Sequence, residues 1–123
     1  MTLSPQRGCR VLVVEDEALI ASLIEDILHD IDCEVIGPVG KLDAAMQLAR
    51  EAELDAAILD VTIRGGQVFP VAEILAARGV PFVLASGYGD WALPEALRGN
   101  MRLMKPFDSE ELTAAIRTMC KPR

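Results

Sequence analysis

A chain of 123 residues that is 51% apolar fits one domain with a substantial core and leaves no room for two catalytic domains. No apolar run approaches the roughly 18 to 20 residues that cross a bilayer, and the opening MTLSPQRGCR lacks the apolar stretch of a secretory signal, so the sequence reads as a cytoplasmic protein with no membrane segment. The net charge of −7 is uneven: residues 15–60 hold thirteen Asp and Glu against Lys41 and Arg50, a local balance of −11 that repels phosphate backbones and argues against nucleic-acid binding. His29 is the sole histidine, which excludes a histidine-rich metal site. Cys9, Cys33 and Cys120 match neither a disulfide framework nor a C-x-x-C zinc motif and are expected as buried or idle thiols.

Taken in chain order, the pattern alternates between two periods. RVLVV (10–14) is short and continuously apolar, as a parallel strand covered on both faces must be. Leu19/Ile20, Leu23/Ile24, Ile27/Leu28 and Ile31 then form a helical stripe. CEVIGPV (33–39) predicts a second strand closed by Gly37 and Pro38, and Leu42, Ala45, Met46 and Ala49 a second helix. AAIL (56–59) is a third strand. VFPVAEILAARG (68–79) reads as a helix with Pro70 in its first turn and Gly79 as its stop. PFVLA (81–85) and MRLM (101–104) are the fourth and fifth strands, separated by GYGDWALPEALRGN, where Asp90 and Pro94 predict only a short, weak fourth helix. The last helix starts at DSEELTAAI, with Asp108 and Glu111 placed as an N-cap pair. The domain is expected over residues 10–119, with tails at 1–9 and 120–123.

Five strands and five helices in strict alternation predict an α/β protein: a parallel sheet wrapped on both faces by right-handed crossovers. Such sheets bind ligands beyond the carboxyl ends of their strands. Glu15 and Asp16 follow the first strand, Asp60 the third, Ser86 the fourth and Lys105 the fifth, whereas the second offers only GPVG. Singly, each is an ordinary strand-ending residue. Together they bring a carboxylate pair, a lone carboxylate, a hydroxyl and an ammonium to one edge.

Carboxylates within ~4 Å repel by roughly 4 kcal/mol per pair at an effective dielectric near 20. Three of them need a counter-charge, and Mg²⁺ suits an all-oxygen cup with one or two carboxylates and positions left for water or phosphate. Glu15 and Asp16 are thus expected as one wall of that cup and Asp60 as the other. Asp60 is also the best nucleophile, since a carboxylate accepts a phosphoryl group as an aspartyl phosphate. Lys105 and the Ser86 hydroxyl would neutralise the transferring oxygens, and Gly87 would let the backbone approach.

VLVVEDE, AILDVTIRGG, VLASGYG and LMKPF, in this order and spacing, resemble the CheY-like receiver domain of two-component response regulators over about residues 10 to 119. The resemblance implies a flavodoxin-like (βα)5 three-layer sandwich with a five-stranded parallel sheet of order 2-1-3-4-5. Asp60 would be the phosphoacceptor, charged by a phosphohistidine on a sensor histidine kinase or a histidine phosphotransferase. Asp16, Asp60 and the backbone carbonyl of Thr62 would ligate Mg²⁺, with Glu15 acting through water. Ser86 would be the switch hydroxyl, Lys105 the phosphate contact, and the Lys105–Pro106 bond cis. Gly87, Tyr88, Trp91, Arg102 and Pro106 would make up the switch and partner region.

Several positions depart from the common receiver pattern. The acidic pair is Glu-Asp, IRGG replaces the usual Met-Pro after the phosphoacceptor, and Arg102 stands where a switch aromatic is usual, so an inward ring swing is not the readout. LASGYG is similar to the subfamily whose fourth strand ends Phe-Ala-Thr-Gly-aromatic, receivers that are often free-standing and paired with HWE or HisKA2-type kinases. The expectation is a single-domain response regulator, not an enzyme, monomeric or weakly dimeric, in which phosphorylation reorders the segment after the fourth strand and alters affinity for a downstream protein. Tyr88 either covers the phosphoryl site or is a surface aromatic. Trp91 either reports the rearrangement or packs the fourth helix. Two alternatives stay open: a Mg²⁺-dependent phosphatase resembling haloacid dehalogenases, whose Asp-x-Asp motif LDVTI lacks, and a receiver-like interaction module that is never phosphorylated.

Overall fold

The structure, a computed structural model, describes residues 8–87 and 102–120. Its elements run β1 (Arg10–Val14), α1 (Ala18–Asp30), β2 (Glu34–Val39), α2 (Leu42–Glu51), β3 (Ala56–Asp60), a hairpin of β4 (Thr62–Ile63) and β5 (Gly66–Gln67), α3 (Phe69–Ala77), β6 (Phe82–Ser86), β7 (Arg102–Met104) and α4 (Ser109–Met119). The five long strands pair in parallel in the order β2-β1-β3-β6-β7, which is the expected 2-1-3-4-5 arrangement with the hairpin left aside. The expected fourth helix lies outside the described residues.

The continuous apolar runs are explained by the two layers they separate. Leu12 and Val14 of β1 pack with Ala57 and Leu59 of β3 against Ala45 and Ala49 of α2 and Val71, Ala72 and Leu75 of α3. Val11 and Val13 point the other way, with Ile58 and Val83, onto Ile24, Ile27 and Leu28 of α1 and Leu112, Ala115 and Ile116 of α4. A strand that alternates between two cores needs an apolar residue at every position. Each large side chain so buried contributes roughly 1.5–3 kcal/mol of transfer free energy. Alanines at the centre of α2 let that helix sit close to the sheet.

The α1 stripe is narrower than its sequence suggests. Ala21, Ile24, Ile27 and Leu28 are buried, but Leu19 is 84% and Leu23 50% exposed, because a helix on one face of a sheet buries a limited arc and those two leucines fall outside it. β2 also differs. It runs through Gly37 and Pro38 to Val39, with a register irregularity opposite β1 between Leu12 and Val14 and a cis Gly37–Pro38 bond. Gly37 has φ +101°, and a Cβ there would stand 3.0 Å from the Val13 carbonyl oxygen, so glycine is required by both conformation and space.

The β4–β5 hairpin was not foreseen. Its signal is IRGG itself: the two-residue turn Arg64–Gly65 places Gly65 at φ +96°, followed by Gly66 at +137°, between Thr62–Ile63 and Gln67. α3 begins with Pro70 in its first turn and ends before Gly79 at φ +73°, as its sequence indicates. The Arg78 guanidinium then donates to the carbonyls of Ala49 and, at 2.8 Å, Ala52, capping the end of α2 from its neighbour.

Asp108 accepts a hydrogen bond from the Glu111 amide at 2.8 Å and caps α4. Asp108→Ala is expected to cost about 1 kcal/mol, read as a Tm lower by a few degrees in a thermal melt. The cysteine expectation needs correction: all three are buried, but Cys9 and Cys120 are joined as a disulfide, with Cys33 outside that bond. The fold brings the ends of the domain together, a proximity that spacing along the sequence does not reveal. Among the described residues no helix is long and apolar enough to cross a membrane.

Candidate functional site

Parallel pairing in matched register delivers the strand ends to one edge. Val14 pairs with Leu59, Asp60 with Ala85, and Ser86 with Met104, so Glu15, Asp60, Ser86 and Lys105 emerge side by side. Backbone bonds fix them there: the Glu15 amide donates to Val39 at 2.9 Å, that of Val61 to Ala85 at 3.1 Å, and that of Lys105 to Ser86 at 3.0 Å. Lys105–Pro106 is cis, in accord with the sequence reading.

Carboxylate oxygens of Glu15, Asp16 and Asp60 lie within 4.8 Å of one another. Glu15 and Asp60 are buried, and Asp16 is half-buried at the rim. The Lys105 ammonium stands 3.0 Å from Glu15 Oε1 and 3.3 Å from Asp60 Oδ2, while Glu15 Oε2 accepts from the Glu17 amide at 3.1 Å. Lysine thus bridges the two buried acids, a role beyond the phosphate contact assigned to it from sequence. Burial, then the hydrogen bond and charge of Glu15, push the Asp60 carboxyl up to about 6, with Lys105 opposing. Burial disfavours the charge on Lys105, but the Glu15 hydrogen bond and the charges of Asp60 and Glu15 outweigh it and hold the ammonium above its usual range.

Three carboxylates against one ammonium leave a formal deficit of two positive charges when all are ionised. The donors are all oxygen, two acids are already desolvated, and the spacing admits one ion between them, so the residues fit a Mg²⁺ site. Thr62, whose carbonyl is the further expected ligand, opens β4 two residues beyond Asp60. Ser86 closes β6, half-buried. Around Gly87 a Cβ would meet nothing within 4 Å among the described residues, so no steric demand for that glycine is visible. Arg102 is half-buried in β7 opposite Leu84. Tyr88 and Trp91 lie outside the described residues.

Sequence reasoning passed over Gly40, dismissing the strand that precedes it as offering no side chain. A Cβ at residue 40 would stand 2.8 Å from Asp16 Cα and 3.3 Å from the Glu15 carbonyl oxygen, both backbone atoms with no room to give. The Gly40 carbonyl also accepts from the Arg64 amide at 3.1 Å, and the Leu42 amide donates to Arg64 at 2.8 Å, which docks the hairpin carrying Thr62 onto the turn after β2. One glycine therefore sets the positions of Asp16 and of the hairpin. A cleft of about 400 Å³ opens alongside, lined by Glu15 and Asp16 with Lys41 and Arg64. Gly40→Ala is expected to weaken Mg²⁺ binding about tenfold or more in calorimetric titration, and to destabilise the fold by about 1–3 kcal/mol through overpacking.

A doubly wound parallel sheet with a buried acid pair, a rim acid and a lysine at its carboxyl edge defines the class of α/β receivers. Residues 11–117 match the response regulator receiver domain family, and the chain belongs to it. It is 34% identical over 111 residues to the transcriptional regulatory protein PdtaR of Mycobacterium tuberculosis, covering 87% of this chain and 54% of that protein. The chain spans about half the length of the curated relatives it matches. Among solved structures it is similar to SdrG of Sphingomonas melonis, at 41% identity over 89% of this chain and 96% of that one, with a TM-score of 0.76. The receiver domain of sensor histidine kinase PA1611 from Pseudomonas aeruginosa, solved with magnesium coordinated in its active-site cleft, shares the fold at a TM-score of 0.79 and 24% identity, covering 92% of this chain and 98% of that one.

Proposed function

We propose that Asp60 accepts a phosphoryl group from a phosphohistidine on a sensor histidine kinase, of HWE or HisKA2 type, or on a histidine phosphotransferase, and that the phosphorylated chain changes its affinity for a downstream protein. The observation that carries this reading is the bridge of Lys105 between Glu15 and Asp60 beside the rim carboxylate of Asp16. The magnesium in the active-site cleft of the PA1611 receiver and a structure of SdrG in a BeF3-activated conformation support it.

Glu15, Asp16, Asp60 and the Thr62 carbonyl would hold Mg²⁺, which supplies charge neutralisation for phosphoryl oxygens when bound. The chain does the rest. An Asp60 carboxylate oxygen attacks phosphorus, the P–N bond to the partner imidazole breaks, and the imidazole takes up a proton. Asp60 must be ionised to attack, and a carboxyl that titrates near 6 is ionised at neutral pH. Lys105, already 3.3 Å from Asp60 Oδ2, exchanges that contact for a phosphoryl oxygen. The Ser86 hydroxyl, at the end of the adjacent strand, donates to another. The replacement of one carboxylate charge by a phosphoryl dianion then redistributes the pull on Ser86 and Lys105, and with it the surface offered to the partner.

Incubation with acetyl phosphate and Mg²⁺, followed by intact-mass measurement, tests the proposal. One phosphoryl group per wild-type chain and none on Asp60→Asn is the expected result. Steady turnover of a phosphate monoester would instead establish a phosphatase, and an unlabelled wild type an interaction module.

A further inference from the structure

All three cysteines sit in the apolar layer between the sheet and α1/α4. Cys9 precedes β1 and Cys120 follows α4, so the pair lies at the start of the first strand, away from the carboxyl edge that carries the acids. Their Cα atoms are 6.1 Å apart across a sequence separation of 111, within the span a disulfide bridges. The bond fastens the last helix to the first strand and encloses nearly the whole domain in one loop.

Cys33 belongs to the same layer, and the amide of the next residue, Glu34, donates to the Cys9 carbonyl at 2.8 Å. Burial first, and the charge of Asp32 second, push the Cys33 thiol up to about 11. It therefore stays protonated and a poor nucleophile at neutral pH. Of the three pairings that three cysteines in one layer offer, the structure makes the one between Cys9 and Cys120.

We propose that Cys9 and Cys120 form a reversible redox staple that governs how firmly α4 is held on the sheet. A low-molecular-weight disulfide such as oxidised glutathione is the co-reactant. One thiolate attacks a glutathione sulfur and releases one glutathione thiol, leaving a mixed disulfide. The second cysteine then attacks the protein sulfur of that mixed disulfide and releases the other. The net change is two protein thiols oxidised to one disulfide and one glutathione disulfide reduced to two thiols, and excess reduced glutathione runs it backwards. Closing a loop of this length restricts the unfolded chain strongly. α4 begins four residues after Lys105, so the staple anchors the far end of the segment that leaves the site. The inference does not depend on phosphorylation.

The test equilibrates the full chain in oxidised and in reduced glutathione, counts thiols after denaturation, and records thermal melts. The oxidised protein should show one thiol and the reduced protein three, with a Tm about ten degrees higher when oxidised. Cys33→Ser should keep the whole Tm difference, and Cys9→Ser and Cys120→Ser should lose it. If either of the latter variants fails to fold, the wild type and Cys33→Ser alone decide. Three thiols persisting in excess oxidised glutathione, or equal Tm values in the two forms, would overturn the proposal.

Discussion

Asp60→Asn is expected to be more stable than the wild type while being unable to take a phosphoryl group. Asp60 is buried against Glu15, and its carboxyl titrates near 6 in the fold against an ordinary value of 3.8. The folded state therefore binds more protons than the unfolded state between those values, and wild-type stability falls as pH rises from about 4 through about 6. Asparagine keeps the shape and carries no charge, so it escapes that loss. The gain is about 3 kcal/mol well above pH 6 in metal-free protein and disappears near pH 4. Added Mg²⁺ narrows it again, because binding to the folded wild type offsets the repulsion. Thermal melts of both proteins across this pH range, with and without Mg²⁺, provide the check. A variant less stable than the wild type at neutral pH would contradict the electrostatic account.

Lys105→Met has the opposite sign. It removes the ammonium 3.0 Å from Glu15 and 3.3 Å from Asp60 and leaves two buried acids facing each other. Breaking a buried pair costs 3–5 kcal/mol, and the partial exposure of this lysine scales that to about 1–2 kcal/mol at neutral pH. The loss shrinks in acid as Asp60 protonates. Phosphorylation suffers more: losing one positioned donor to the transferring group typically slows chemistry about a hundredfold or more. Initial labelling rates from acetyl phosphate at saturating Mg²⁺ measure this, and an unchanged rate would remove Lys105 from the proposed site.

The acid cluster and its lysine were legible in the sequence because a parallel sheet translates chain position into space. A residue that ends an apolar strand has one place to go, so Glu15, Asp60 and Ser86 were located by the apolar runs before them, and Lys105 by its place after MRLM. The strand order came from the family resemblance and not from the alternation itself. What escaped was set by contacts between segments with no side-chain signature. Gly40 matters because of the backbone that packs on it, and nothing in GPVG marks that approach. IRGG does encode a hairpin, but the motif was weighed only as a departure from the family. Leu19 and Leu23 keep helical spacing and still face solvent, since periodicity gives the angle of a stripe but not the width of the arc its neighbour covers. Cys9 and Cys120 meet only because the last helix returns to the first strand, so the disulfide is a product of the tertiary fold.

The central claim is that Asp60 is the group modified, in a cup of acids that needs a divalent cation. Borohydride reduction of the acetyl phosphate-treated chain, followed by peptide mass spectrometry, locates the acyl phosphate by converting the modified aspartate to homoserine. The account predicts homoserine at position 60 alone, formed with Mg²⁺ and abolished by chelation. Conversion at another aspartate or glutamate, or equal conversion after the metal is removed, would contradict it.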